Sequence, residues 1–210
     1  MTNYSEKTIE LAKQLGTSTL YEVSEVKNCA VAHEIKTIWE GAIMAGPAYP
    51  VACSPGDNLA IQIALEKAPA GSVMVITTDN FVAGYWGEVL TVAAESVGIK
   101  GLIIDGGVRD IAAIRRRQFP VFSRGISVCG THKASFNSVG QPIQITGTPV
   151  KAGDLVVADD DGIIILPQDC TLDIIKKGKA REEKEAVMME QLRNGKTTLE
   201  LMDLTSWRFQ

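Results

Sequence analysis

Gly101-Leu-Ile-Ile-Asp-Gly-Gly-Val-Arg-Asp110 is the stretch on which the fold turns. Gly101 to Ile104 reads as a buried strand. Asp105-Gly106-Gly107 reads as a sharp turn, because paired glycines give the backbone its widest choice of angles. Arg109 and Asp110 follow at once, a cation and an anion side by side. An apolar strand that delivers two opposite charges at its C-terminal end holds them on a rigid element, where α/β sheets place their ligands.

Outward from this stretch, strand and helix alternate. Gly71 to Thr77 is a second buried strand, and Trp86 to Val97 reads as a helix with Val89, Leu90, Val92, Ala93 and Val97 apolar. A helix from about Arg109 to Arg117 comes next. Ser54-Pro-Gly-Asp57 is a turn, and Asp57-Asn58 caps a helix that carries Leu59, Ile61, Ile63, Ala64 and Leu65. Further toward the N-terminus, residues 2–15 read as one helix, and Thr17 or Ser18 caps a second through about Val26. Gly41 to Val51 has β character, with Gly46-Pro47 and Pro50 expected to limit regular pairing. The second half is mostly strands: Phe119–Phe122, Ile143–Ile145, Leu155–Ala158 and Ile163–Leu166. A long charged helix, Gln168 to Arg193, closes it. This pattern predicts an α/β fold, a single layered β/β/α domain over residues 1–210 with a mixed sheet. Leu201, Met202, Leu204, Trp207 and Phe209 crowd the last segment, which predicts packing against a neighbouring subunit.

Composition narrows the function. The 210 residues are 45% hydrophobic and 22% charged, enough for a sizeable core. The net charge of −4, with both signs mixed, argues against a nucleic-acid surface. No apolar run reaches the roughly 18 residues a membrane span needs, and Met1 is not followed by a basic-then-apolar leader, so a cytoplasmic location is expected. Cys29, Cys53, Cys129 and Cys170 are scattered, without a CxxC pair, and read as free thiols. His33 and His132 are the only histidines, which leaves little material for a histidine-based triad or metal site.

Arg109 offers a fork of donors that matches a carboxylate at two points. Asp110 offers hard oxygen to Mg²⁺ or Mn²⁺, ions that keep most of their water and need few protein ligands. Together they suit a small 2-oxo acid; equally, they could be a surface ion pair at a helix N-terminus. In Tyr85-Trp-Gly-Glu-Val-Leu90, Gly87 precedes the helix, so the amides near Glu88, Val89 and Leu90 are free to bind an anion. Glu88 reads either as a base or holder of metal-bound water, or as an ordinary first-turn glutamate. Asp159-Asp160-Asp161-Gly162 has the wrong spacing for an EF-hand and reads as a tight hairpin. Lys100 enters a strand rather than leaving it, which argues against a Schiff-base role. Arg181-Glu-Glu-Lys-Glu185 reads as a solvated helix face.

The chain resembles the family of the RNase E regulator RraA and the class II, metal-dependent 4-hydroxy-4-methyl-2-oxoglutarate/4-carboxy-4-hydroxy-2-oxoadipate aldolases. The resemblance spans residues 15–195. It is carried by Pro55-Gly-Asp-Asn58, Trp86-Gly-Glu88, Gly101 to Asp110, Phe119-Pro-Val-Phe122, Gly153 to Gly162 and Arg181-Glu-Glu183. It implies the layered swivelling-domain fold of that family and an assembly as homotrimer or homohexamer with sites between subunits. Aldolase members carry an acid, twenty intervening residues, then Arg-Asp; Glu88 and Arg109-Asp110 keep that spacing.

By this match, Asp110 binds the divalent ion and Arg109 the pyruvoyl carboxylate. The backbone of Gly87, Glu88, Val89 and Leu90 faces the substrate, and Glu88 holds a metal-bound water. Glu182, or its neighbour Glu183, from the C-terminal helix of another subunit completes the site. Ala113 stands where the family motif often has a further acid. The implied activity is cleavage of 4-hydroxy-2-oxo acids to pyruvate and a second 2-oxo acid, with oxaloacetate decarboxylation as a side reaction. The alternative implied by the same resemblance is a non-enzymatic regulator of ribonuclease E. A quinone methyltransferase is disfavoured, since no Gly-rich loop with a following ribose-binding acid is present.

Overall fold

The computed structural model describes residues 4–135 and 137–208. In chain order the elements are α1 (Glu6–Val23), β1 (Lys36–Thr37), β2 (Met44–Ala52), α2 (Leu59–Lys67), β3 (Val73–Thr77), β4 (Gly84–Trp86), α3 (Glu88–Ser96), β5 (Gly101–Val108) and α4 (Ile111–Arg117). There follow β6 (Val121–Ile126), β7 (Ser138–Val139), β8 (Ile143–Ile145), β9 (Thr148–Val150), β10 (Leu155–Asp159), β11 (Gly162–Leu166), α5 (Thr171–Arg193) and α6 (Thr198–Leu201).

The apolar runs read as buried strands lie side by side. The main sheet runs β1-β6-β5-β3-β2-β10-β11, with β4 added beside β5 and β7 beside β2. Neighbours β2, β3, β5 and β6 are parallel, whereas β10 joins β2 antiparallel, so the sheet is mixed. Side chains alternate across each strand. Met74, Ile76, Leu102 and Ile104 pack with Ile61 of α2, Leu90 of α3 and Ile114 of α4. Val73, Val75 and Ile103 point the other way, into an interior shared with Phe122, Val156 and Ile165. The outer face of β10 and β11 supplies Leu155, Val157, Ile164 and Leu166 to Leu15 and Leu20 of α1 and Ile174 and Ile175 of α5. The sheet therefore curls over one apolar interior, with helices on both outer faces. This agrees with the layered β/β/α expectation.

Several local readings need correction. The strand that begins at Gly101 does not turn at Gly106-Gly107; it continues to Val108, with an irregular register against β6 between Ile104 and Gly107. Both glycines serve close packing. A Cβ on Gly107 would lie 2.6 Å from the Ala83 carbonyl, and one on Gly106 would lie 2.8 Å from Thr78 Oγ1. Trp86 ends a strand rather than opening a helix. The two expected N-terminal helices are one, α1, broken at Gly16, where φ is 74°. There the Asp159 carboxylate accepts bonds from both Thr17 N (2.8 Å) and Thr17 Oγ1 (2.6 Å).

Pro47 and Pro50 lie inside β2, which is central rather than an edge. The strand divides its partners: residues 44–47 pair with β10 and residues 48–52 with β3. The triple-acid hairpin is as expected, with Asp159 facing Gly162 across it. At the C-terminus, Met202, Leu204 and Trp207 are exposed; residues 2–3 of the expected first helix and Phe209 lie outside the described residues.

Candidate active site

Trp86 fixes the junction on which the site is built. It is fully buried and stacks on Phe119 with centroids 6.2 Å apart. Its Nε1 donates to Thr91 Oγ1 at 2.8 Å, and that hydroxyl donates in turn to the Gly87 carbonyl at 3.0 Å. The Trp86 carbonyl accepts from the Arg109 amide at 2.8 Å. The ends of β4 and β5, and the starts of α3 and α4, are thereby locked to one another.

Arg109 leaves β5 with its side chain half exposed. The stem lies against two glycines. A Cβ on Gly84 would stand 3.0 Å from Arg109 Cδ, and one on Gly87 would stand 3.2 Å from Arg109 Cγ. Asp110 adopts left-handed backbone (φ 57°) at the head of α4. That conformation costs most residues free energy and is tolerated best by Asn, Asp and Gly. It turns the carboxylate back toward α3, where Oδ2 accepts from the Glu88 amide at 3.0 Å. Arg109 Nε and Asp110 Oδ2 are 4.0 Å apart.

Arg109 and Asp110 line a cleft of about 350 Å³ with Gly87, Val89 and Leu90. The amides of Val89 and Leu90 belong to the first turn of α3, where intrahelical acceptors are lacking. Thus the structure brings together Arg109, Asp110 and the Gly87–Leu90 segment.

Glu88 is the exception. Its carboxylate is not part of the cleft wall. Oε1 instead accepts from Arg117 Nε (3.3 Å) and Nη2 (3.2 Å), while Arg117 Nη1 reaches Glu95 Oε2 at 3.1 Å. Arg117 thus ties α4 to α3, a link that the sequence spacing does not announce. Glu182 and Glu183 are exposed on α5, whose packing partner is α1, not the helices of the cleft. Among the described residues, no group of three metal-ligating side chains converges within this one chain.

The remaining wall comes from Asn58 and Gln62, from Gly84 and Tyr85 of β4, and from Gly130, Thr131 and Lys133. In the sequence Asn58 reads as a helix cap within the Pro55–Asn58 motif, and Gln62, Gly130, Thr131 and Lys133 are not singled out. The one available signal was a short polar run directly after a strand of the parallel sheet. Asn58 Nδ2 donates to the Tyr85 carbonyl at 2.9 Å, and its buried Oδ1 finds no donor among the described residues. Asp57 anchors the segment that bears Lys133. Its Oδ1 accepts from Leu59 N at 2.9 Å, and its Oδ2 accepts from Ala134 N (2.7 Å) and Ser135 N (2.8 Å).

The amides of Leu59, Ala134 and Ser135 hold the Asp57 carboxyl down to about 2. A depressed carboxyl pKa stabilises the folded loop at every pH above the unfolded value, and that contribution fades as pH falls toward the folded one. Amide exchange at Ala134 and Ser135, corrected for intrinsic rates, is expected to be flat down to about pH 4 and to accelerate between there and pH 2. Unchanged protection at pH 2 would show that Asp57 does not hold the loop.

A larger cavity of about 550 Å³ lies beside the Asp159–Asp161 hairpin and His33. Its acids are committed to structure: Asp159 holds Thr17, Asp160 accepts from Gly41 N at 3.0 Å, and Asp161 accepts from Ser18 Oγ at 2.9 Å. Lys100 borders a third cavity, at the opposite ends of the strands. Chemistry, not volume, therefore selects the cleft at Arg109.

Comparison with known proteins agrees with the architecture. The RraA-like family, described as Aldolase/RraA, matches residues 17–165. The chain belongs to this family. A protein of Halalkalibacterium halodurans, named "Putative 4-hydroxy-4-methyl-2-oxoglutarate aldolase", is 33% identical over 149 residues, covering 70% of this chain and 71% of that protein. Among solved structures, an uncharacterized protein from Pseudomonas syringae pv. tomato is 26% identical with a TM-score of 0.82, over 94% of this chain and 97% of its own. A Streptomyces coelicolor protein, described as an unusual member of the RNase ES inhibitor RraA family, shares the fold at 22% identity, with a TM-score of 0.78 over 90% of this chain and 100% of its own. The residues of this chain that line the cleft, from Asn58 to Lys133, all fall within the matched region.

Proposed function

We propose that this protein is a divalent-metal-dependent lyase that cleaves 4-hydroxy-2-oxo acids, such as 4-hydroxy-4-methyl-2-oxoglutarate, to pyruvate and a second 2-oxo acid. The observation that carries the reading is the pairing of Arg109 with Asp110 in one cleft, beside the first turn of α3. The related protein named as an aldolase supports the same class.

The residues fit a Mg²⁺ or Mn²⁺ ion. Asp110 Oδ2 is steadied by the Glu88 amide, and the carboxylate stays half exposed at the cleft wall. One hard oxygen suits an ion that retains most of its water. In this reading Asp110 holds the ion, and Glu182 or Glu183 of a neighbouring subunit in a homotrimer or homohexamer adds to its outer shell. When bound, such an ion supplies Lewis-acid stabilisation to charge that develops on the 2-oxo oxygen.

The chain's own residues do the rest. Arg109 takes the substrate's C1 carboxylate with its guanidinium fork and fixes the 2-oxo acid in the cleft. The first amides of α3 add partial positive charge at the same end. Cleavage requires loss of the C4 hydroxyl proton; the C3–C4 bond then breaks and its electron pair becomes the pyruvate enolate. In this reading the Glu88 carboxylate takes that proton once it leaves Arg117 and turns to the cleft. Enolate charge grows beside Arg109, so that contact strengthens toward the transition state, which is what accelerates the step. Loss of CO₂ from oxaloacetate gives the same enolate and is expected from the same site.

A coupled assay for pyruvate tests the reading. Release from 4-hydroxy-4-methyl-2-oxoglutarate is expected with Mg²⁺, to disappear with EDTA and to return on adding excess metal. Metal-independent release, or none from either this substrate or oxaloacetate, would sink it.

A further inference from the structure

We propose that Arg117 and Glu95 are positioning residues for Glu88. Together they hold its carboxylate outside the cleft at rest and release it when a keto acid is bound. The inference rests on the base role given to Glu88 in the proposed function, and it concerns how that residue is delivered to the site.

The first observation is a shared guanidinium. Arg117 Nε and Nη2 both donate to Glu88 Oε1, at 3.3 and 3.2 Å, while Nη1 donates to Glu95 Oε2 at 3.1 Å. Glu88 and Glu95 both belong to α3, about two turns apart, so they reach the same flank of the helix. Among the described residues neither glutamate pairs with another cation, and Arg117 pairs with no other acid. One turn before Arg117 on α4 stands Ala113, which offers no competing carboxylate. A guanidinium divided between two carboxylates holds each less firmly than it would hold one alone. When Glu88 leaves, Arg117 keeps Glu95 and is not stranded.

The second observation is the setting of the contact. The Glu88 amide donates to Asp110 Oδ2 at 3.0 Å, so the backbone stays fixed at the cleft edge while the side chain turns. Arg117 is the last residue of α4, and Gln118, in left-handed backbone at φ 53°, ends the helix behind it. The helix dipole favours a cation there, which keeps the guanidinium in place as Glu88 moves. The side chains of Glu88, Arg117 and Glu95 are 42%, 36% and 36% exposed. Ion pairs this open to water are weak, so the exchange is easy; a buried pair would trap Glu88.

The test measures pyruvate release with Mg²⁺ for Glu88→Ala, Glu95→Gln, Arg117→Met and the Glu95→Gln/Arg117→Met double variant. Glu95→Gln leaves the guanidinium to Glu88 alone, so kcat is expected to fall roughly 2- to 5-fold with KM little changed. Arg117→Met removes the hold, and kcat is expected at or above the wild-type value. Adding Glu95→Gln to Arg117→Met changes nothing further, because both act through one contact. A merely structural tie between α3 and α4 would lower kcat in Arg117→Met. A second readout needs no turnover. The nitrogen resonance of Arg117 Nε is expected to move when Mg²⁺ and oxalate, an inert copy of the pyruvate enolate, are added, and to stay put in Glu88→Ala. Unchanged kcat in Glu95→Gln, a loss of rate in Arg117→Met, or a wild-type resonance that oxalate does not move would overturn the inference while leaving the lyase reading intact. Full kcat in Glu88→Ala removes Glu88 as the base, and this inference with it. No pyruvate release from the wild type removes the lyase and the inference together.

Discussion

Arg109→Ala is expected to lower kcat/KM for pyruvate release by roughly 10²–10³-fold or more while leaving the fold intact. The size follows from the two tasks given to one guanidinium. It anchors the substrate's C1 carboxylate, and it faces the charge that appears as the C3–C4 bond breaks. Little stability is at stake, because the side chain is half exposed and its one ion-pair partner among the described residues, Asp110, is 4.0 Å away. The backbone bond from the Arg109 amide to the Trp86 carbonyl survives any substitution but proline. Arg109→Lys keeps the charge but loses the two-point match, so it is expected to recover only a small part of the rate. Asp110→Asn separates the tasks further. It keeps an acceptor for the Glu88 amide but loses the negative charge, so Mn²⁺ uptake measured by calorimetry should fall together with activity. Near-full activity in either the alanine or the asparagine variant would remove that residue from the mechanism.

Much of this was legible in the sequence for identifiable reasons. The 71–77 and 101–104 runs are buried on both faces, so they appear as unbroken apolar stretches, the mark of parallel strands under helices. The adjacency of Arg109 and Asp110 needs no folding to be seen. The extent of β5 was hidden because Gly106-Gly107 imitates a turn. Its true cause is the approach of residues 78–83, a tertiary contact with no local signal. Likewise Pro47 and Pro50 argue locally against a central strand. β2 accommodates them by pairing with β10 along one stretch and β3 along the next, and this depends on strands about 25 and 110 residues away.

The site divides in the same way. Residues contributed by the strand and its following helix were visible, since one motif carries them. Lys133 was not: it reaches the cleft only because Asp57, far back in the chain, binds two amides beside it. Arg117 was equally hidden. Its pairing with Glu88 spans 29 residues and exists because α3 and α4 lie side by side. That pairing also changes what Glu88 can do. A glutamate already held by a guanidinium must exchange that partner before it can accept a substrate proton, so the base role proposed for Glu88 requires its carboxylate to leave Arg117.

Gly87→Ala should be almost as damaging as loss of Arg109, although it removes no functional group. Gly87 has extended backbone (φ −153°, ψ −164°), which any residue adopts, so conformational strain plays no part. The obstacle is steric. A Cβ there would overlap Asp110 Oδ2 and press on Asp110 Cγ and Arg109 Cγ, each at 3.2 Å. Ordinary van der Waals separations between carbon atoms are about 3.5–4.0 Å. The added methyl must therefore push both functional side chains at once, displacing the carboxylate from the Glu88 amide and tilting the guanidinium. A shift near 1 Å in such groups costs roughly 10²-fold in rate. Gly130→Ala is the matched control. It lines the same cleft, but a Cβ there meets nothing within 4 Å. Gly130→Ala is expected to retain activity within about twofold, with both variants folded by circular dichroism. If Gly87→Ala kept its rate and its Mn²⁺ affinity, Asp110 and Arg109 would not need the positions in which α3 and β5 hold them.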